Sequence, residues 1–257
     1  MAGEIRNKIN NLHRVATRGS PLTSAWLRQQ GVSYKLAWWY VKSGWLDRIA
    51  DGVYCFSEEQ ITWAGALAAI QQQVKLPIYV GGKTALQLLG RVHYINKEVQ
   101  FIQLFGSHKT KLPKWVRSPY WNVSWLFYSP ALFSRDDAAW RTTVEVNGIP
   151  LDISSPEKAS LELCFLVPKV VSFAEAALIL EGLPRMRPKV LQGLLESCRS
   201  YKAKRLLLYW GDYFSHAWMQ DIHLHRIDLG KGKRVVSGGG QYNAKYQLSV
   251  PILDDMK

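Results

Sequence analysis

Apolar positions at the start of the chain recur first with a helical period and then alternate. Ile5, Ile9, Leu12 and Val15 fall on one face and predict a helix over residues 4–16. Residues 23–30 predict a second helix, closed by Gly31, a residue free to take the left-handed conformation that ends helices. Ser33 then caps a third helix from Tyr34 to Lys42, stopped by Ser43-Gly44. Beyond it the pattern alternates: Trp45 to Ile49 and Gly52 to Phe56 predict a hairpin across Ala50-Asp51-Gly52. Two short helices, a tight turn and a β-ribbon in this order predict a winged helix-turn-helix, the unit that sets its second helix in the DNA major groove.

Ser57-Glu58-Glu59-Gln60 reads as a polar hinge. It divides the chain into a winged-helix domain over residues 1–58 and a C-terminal domain over 59–257. Thr62 to Gln73 is helical, with Trp63, Leu67 and Ile70 on one face. Packing of that helix on the N-terminal module would move the boundary toward Arg91. Strands are then expected at Ile78–Val80, Val99–Phe105, Trp121–Tyr128 and Thr142–Ile153, the last folded at Asn147-Gly148. A helix is expected from Lys83 to Leu89. Ser154-Ser155-Pro156-Glu157 offers a cap, an early proline and a capping-box glutamate for a helix running to Phe165. Helices at 173–180, 189–198 and 203–210, a glycine-rich stretch from Gly230 to Gly240 and a strand at 246–250 complete the reading. The expected fold class is α/β (α+β): an N-terminal winged helix-turn-helix followed by a larger mixed α/β domain.

In the third helix, Leu36, Ala37, Tyr40 and Val41 form a face suited to the core. Tyr34, Lys35, Trp38, Trp39 and Lys42 are left on the other faces. Two adjacent tryptophans on so short a helix cannot both point inward, so at least one is expected outside. Against DNA, an indole packs on thymine methyls or sugars while Lys35 and Lys42 hold phosphates or a guanine edge. The alternative is that one tryptophan packs on the neighbouring domain. Arg48 in the ribbon would meet the DNA backbone or minor groove, or else stand in solvent. The candidate DNA contacts are therefore Ser33, Tyr34, Lys35, Trp38, Trp39, Lys42 and Arg48.

The formal charge of +13 favours a polyanionic partner. Residues 182–257 alone carry 13 Lys/Arg against 6 Asp/Glu, a second basic centre besides the winged helix. Lys202, Lys204 and Arg205, with Lys231, Lys233 and Arg234, are its clusters, and an exposed basic face for an acidic partner or flanking DNA is expected there. Cys55, Cys164 and Cys198 form no CxxC pair, which argues against a disulfide framework or zinc-thiolate site and fits a reducing cytoplasm. The first residues lack the apolar core of a signal peptide, and no run approaches the eighteen or so apolar residues that cross a bilayer.

Enzyme signatures are weak. Gly81-Gly82-Lys83-Thr84 resembles the end of a phosphate loop, but Pro77 stands where a Walker A motif needs glycine. His216, His223 and His225 lack partners for a tetrahedral metal site, so neither metal nor cofactor is expected. The competing class is a nucleic-acid-processing or nucleotide-using enzyme delivered by the winged helix. Its acidic candidates are Asp136, Asp137, Glu145, Asp152 and Glu157. An RNA-binding module is disfavoured, because residues 1–58 lack a stacking-sheet pattern.

Ordered landmarks run through the chain: Ser43-Gly44-Trp45, Gly52-Val53-Tyr54, Trp63-Ala64-Gly65-Ala66-Leu67 and Gly81-Gly82-Lys83-Thr84-Ala85-Leu86. They continue with Lys111-Leu112-Pro113-Lys114-Trp115, Ser154-Ser155-Pro156-Glu157-Lys158-Ala159 and Asp228-Leu229-Gly230-Lys231-Gly232-Lys233-Arg234. In these the chain resembles the AbiEi family, the antitoxin and repressor component of type IV (abortive-infection) toxin–antitoxin pairs. The resemblance implies a winged helix that binds inverted repeats in its own promoter as double-stranded DNA. It also implies a C-terminal domain that neutralises a nucleotidyltransferase-like toxin, without requiring a stable complex. Trp38 and Trp39 stand where polar residues are expected, so no operator sequence is carried over.

Overall fold

The computed structural model describes residues 2–91, 101–107, 109–236 and 240–252. Two compact units emerge. One comprises Met1–Tyr79, Gln100–Ser129 and Thr143–Asp152, and the other Val80–Val99, Pro130–Thr142 and Ile153–Lys257.

The first unit begins with α1 (Ala2–Val15), β1 (Leu22–Thr23), α2 (Ser24–Gln29), α3 (Tyr34–Lys42), β2 (Leu46–Ala50) and β3 (Val53–Phe56). Thr23 and Ser33 cap α2 and α3, their hydroxyls accepting from the Trp26 and Leu36 amides at 3.2 Å. Between the helices Gly31 sits at φ +77°, where a side chain would be strained, and Val32 turns inward. Ile9, Leu12, Leu22, Leu27, Val32, Ala37, Tyr40, Leu46, Tyr54 and Phe56 form one apolar core. The winged helix-turn-helix is therefore complete: three helices around a core, with β2 and β3 as the wing. The sheet has the order β1-β3-β2, so the wing carries a third, two-residue strand that the apolar pattern did not announce.

The next helix, α4 (Trp63–Ala68), widens into a π-helical turn at Ala69–Gln73, where a uniform α-helix was expected. Here three glutamine side chains reach backbone groups. Gln73 accepts from the Thr23 amide at 2.9 Å and donates to the Pro21 carbonyl at 2.7 Å. Gln71 bonds both the amide and the carbonyl of Asp152, and Gln72 donates to the Pro150 carbonyl. The helix packs on the winged helix so closely that a Cβ at Gly65 would lie 1.7 Å from the Gly19 carbonyl oxygen. Ser20 Oγ donates to the Gly65 carbonyl, and the Gly19 amide donates to Glu59 Oε1 at 2.7 Å.

A five-stranded sheet follows. Its strands are β4 (Ile78–Val80), β5 (Phe101–Gly106), β6 (Ser124–Tyr128), β7 (Arg141–Val146) and β8 (Ile149–Ser154), in the order β6-β5-β4-β8-β7. β5 and β6 run parallel from Phe101↔Ser124 to Phe105↔Tyr128. The β7–β8 hairpin turns at Asn147 and Gly148, both at positive φ as the Asn-Gly pair demands. β6 starts later than expected, because Pro119–Trp121 form a 3-10 turn. Val99 and Gln100, part of the expected strand, lie outside the described residues, as do Gly238 and Gly239 of the glycine-rich stretch.

The second unit is built on helices: α5 (Gly82–Leu88), α6 (Pro156–Leu166), α7 (Phe173–Glu181), α8 (Pro188–Ser197) and α9 (Tyr201–Tyr213). α6 is central and packs on α5, α8 and α9. Its cap is Ser155, and Glu157 does not close the expected capping box. That carboxylate is only 2% exposed and instead accepts from Arg187, Nε at 3.0 Å and Nη2 at 2.8 Å, because a buried charge needs a charged partner more than a helix end needs a second cap. A small sheet, β9 (Arg234–Val235), β10 (Gln241–Asn243) and β11 (Leu248–Val250), closes the unit in the order β10-β11-β9. Only the last strand was expected. No helix among the described residues is long and apolar enough to cross a membrane.

Candidate nucleic-acid interface

On α3 the core face is the one the sequence implies. Ala37 and Tyr40 are buried at 2% and 0% exposure, with Leu36 and Val41 packed beside them. The opposite side shows Tyr34, Trp38 and Trp39 at 66%, 55% and 40% exposure, and Ser33, Lys35 and Lys42 are exposed with them. The two tryptophans differ. Trp39 meets Trp45 and Tyr40 edge-on, ring centroids 5.8 Å apart in each case, so its ring is held by the core. Trp38 has Lys42 Nζ 5.5 Å from its ring centroid and otherwise faces outward.

Arg48 is exposed on β2 but is not simply in solvent. It pairs with Asp51 at 2.5 Å in the wing turn, and its Nε donates to the Ala50 carbonyl. Both side chains of the pair are open to water, so it contributes under about 1 kcal/mol, and a phosphate could replace Asp51 at little cost. The turn is tied to α2 by Ser24 Oγ, which donates to the Gly52 carbonyl at 3.0 Å.

One signal was missed in the charge pattern. Residues 5–46, which span α2 and α3, carry seven Lys/Arg and no Asp/Glu. An acid-free stretch across a helix-turn-helix leaves no carboxylate on its two helices to repel a phosphate backbone, and the nearest exposed ones, Asp47 and Asp51, stand in the wing. Exposed Arg28 and Gln29 on α2 belong to the acid-free stretch.

The C-terminal clusters need correction. Lys204 and Arg205 are buried at 2% and 1% exposure and cannot form a surface face. Arg205 donates to four carbonyls: Leu229 at 2.8 Å, Gly232 at 2.7 Å, Gly230 at 2.9 Å and Gln247 at 3.1 Å. Lys204 bonds the Asp228 carbonyl, and half-buried Lys202 bonds those of Phe165 and Val167. Burial lowers the affinity of Lys202 and Lys204 for their protons. The reason is α9 itself: Ala203 through Leu208 are all buried, which spares no face for charge. Lys231, Lys233 and Arg234, by contrast, are exposed on the loop that Arg205 fastens, with Lys233 Nζ 4.9 Å from the Tyr242 ring centroid.

Most of the enzyme candidates have structural partners, and Glu145 is exposed on β7. The Gly82 amide donates to Glu162 Oε2 at 3.0 Å, which sets a carboxylate where a phosphate loop would hold its anion, and Lys83 pairs with Glu175. His216 is buried and bonds the Leu180 carbonyl at 2.9 Å. Asp136 pairs with Arg141 and Lys158, Asp137 caps the turn at Ala139, and Asp152 faces Thr143 across the hairpin. Burial is the largest single influence on Glu157 and raises its pKa, but the hydrogen bonds from Arg187, its own backbone and Ser155 together outweigh it, so the carboxyl titrates below the usual range. Burial pushes the Cys55 and Cys198 thiols up to about 11, and Cys164 higher still. These are inert core cysteines.

Comparison with known proteins adds three findings. A family model for transcriptional regulators that are AbiEi antitoxins of type IV toxin–antitoxin systems matches residues 99–251. The model for the N-terminal domain of AbiEi antitoxin regulators matches residues 5–97. The crystal structure of the RV2827C protein from Mycobacterium tuberculosis superposes with a TM-score of 0.60 over 96% of this chain and 90% of that one, at 17% identity, a likeness of fold. No match is found among curated proteins.

Proposed function

The chain belongs to the AbiEi family of type IV antitoxins and transcriptional regulators, and from that premise we propose that it binds inverted repeats in the promoter of its own operon. In this reading residues 1–58 are the DNA module. Tyr34, Lys35, Trp38 and Lys42 enter the major groove, Ser33 and Trp39 border it, and Arg48 exchanges Asp51 for a phosphate or the minor groove. The observation that carries the reading is the exposed aromatic and basic side of α3 within an acid-free stretch. The second half of the function is protection, in the cytoplasm, from a nucleotidyltransferase-like toxin. Lys231, Lys233 and Arg234 on the fastened loop are the groups offered to an acidic partner surface.

The test is a promoter reporter run beside growth of cells expressing the toxin. Lys35→Ala with Lys42→Ala should lift repression and leave growth protected, while Lys231→Glu with Lys233→Glu should do the reverse. Loss of both activities in either variant would contradict the separation.

A further inference from the structure

We infer that α3 reads DNA by apolar contact, with Tyr34 and Trp38 packing on thymine 5-methyl groups. The inference rests on the promoter-binding reading above. The exposed positions of α3 are Tyr34, Lys35, Trp38, Trp39 and Lys42, and none is Arg, Asn, Gln, Asp or Glu. Together with lysine, those five residue types make most hydrogen-bonded base contacts, in particular the bidentate pairs to guanine and adenine. Here the charged donors are two lysines, each a mobile point charge suited to phosphates, and the Tyr34 hydroxyl and the indole N–H groups add only single hydrogen-bonding groups, none of which makes a bidentate pair. What α3 offers in their place is aromatic surface.

Tyr34, Trp38 and Lys42 are spaced i, i+4, i+8 and share one stripe along the helix. The first two are its most exposed aromatics, at 66% and 55%. Trp39 is set apart, because Trp45 and Tyr40 hold its ring. In the major groove the apolar group that projects from a base pair is the thymine methyl. An indole lying in that groove gains most over thymines, and the positive charge of Lys35 and Lys42 beside it suits the flanking phosphates. The half-sites are therefore expected to present thymines to Trp38, and Lys42, seated over the indole, to follow the ring as it docks.

Replacing thymine with uracil removes the 5-methyl and leaves every hydrogen-bonding edge in place. The probe is the duplex immediately upstream of the protein's own gene, made with thymine or with uracil throughout, and the full chain is titrated against each. A covered methyl is worth about fourfold in affinity, so several together predict a loss of about tenfold or more on the uracil duplex. Trp38→Ala should bind both duplexes more weakly with a smaller thymine-to-uracil ratio, and Tyr34→Ala with Trp38→Ala should bind both with the same reduced affinity. Lys42→Ala should weaken binding to both while keeping the thymine-to-uracil ratio. A melting temperature unchanged in Trp38→Ala confirms that the exposed ring was removed without loss of fold. Equal binding of both duplexes by the wild-type chain would overturn methyl reading while leaving promoter binding intact. A thymine duplex bound no better than unrelated DNA would instead sink the promoter-binding reading and this inference with it.

Discussion

Arg205 is the residue whose loss should be felt most, although it lies far along the chain from α3. It is 1% exposed and donates to the carbonyls of Leu229, Gly230, Gly232 and Gln247 over 2.7–3.1 Å. Arg205→Met keeps the apolar stem and removes every donor. A hydrogen bond to a charged group is worth about 1.5–3 kcal/mol net, so four would sum to about 6–12 kcal/mol. Two effects reduce that figure. The variant no longer has to desolvate a guanidinium, and the freed carbonyls sit in a loop at the surface, where they recover water once it loosens. The expected loss is about 3–5 kcal/mol, a large share of the 5–15 kcal/mol typical of a domain. Urea unfolding of the full chain measures it, with Lys231→Ala as a control expected within about 0.5 kcal/mol of wild type. An Arg205→Met protein within about 1 kcal/mol of wild type would refute the idea that this side chain fastens the basic loop. It follows that charge reversal at Lys204 or Arg205 cannot report on toxin recognition, because it breaks the fold first.

Two further outcomes follow from the geometry. Gly65→Ala in a helix would ordinarily gain up to about 1 kcal/mol, but its Cβ would meet the Gly19 carbonyl at 1.7 Å; a loss of about 3 kcal/mol is expected by thermal melting, and a raised melting temperature would contradict the packing of α4 on the winged helix. Burial lowers Lys158 from 10.5 to about 8, with Arg141 adding to the shift and Glu162 opposing it, so between those pH values the unfolded chain holds a proton that the folded chain lacks. Stability should then rise from pH 8 to 10.5 relative to Lys158→Met, and parallel curves for the two proteins would show that the lysine titrates normally when folded.

The sequence was most legible where the signals were local. Ser33 and Gly44 bracket α3 at its observed ends, and the i, i+4 spacing of Leu36 and Tyr40 told core from surface. Asn147-Gly148 announced the β7–β8 hairpin for the same reason. Legibility failed where partners are distant in sequence. Leu22–Thr23 is a strand only because Val53 and Tyr54 lie beside it. Glu157 reads as a cap until Arg187, thirty residues on, takes its carboxylate. Lys204 and Arg205 look like surface charge until the carbonyls of 228–232 turn toward them. On α3 the residue faces were legible, but what separates Trp39 from Trp38 is contact with Trp45, which the helix alone does not show.

Equilibrium binding of the full chain to its own promoter duplex and to an unrelated duplex of equal length, over a range of salt, tests the central claim most directly. The account predicts steep weakening with salt for both, as displaced counterions are counted against the basic side of α2 and α3, and a preference of about a thousandfold or more for the promoter at any one salt concentration. Equal affinity for the two duplexes throughout would contradict it, leaving a basic protein that sticks to phosphate and reads nothing.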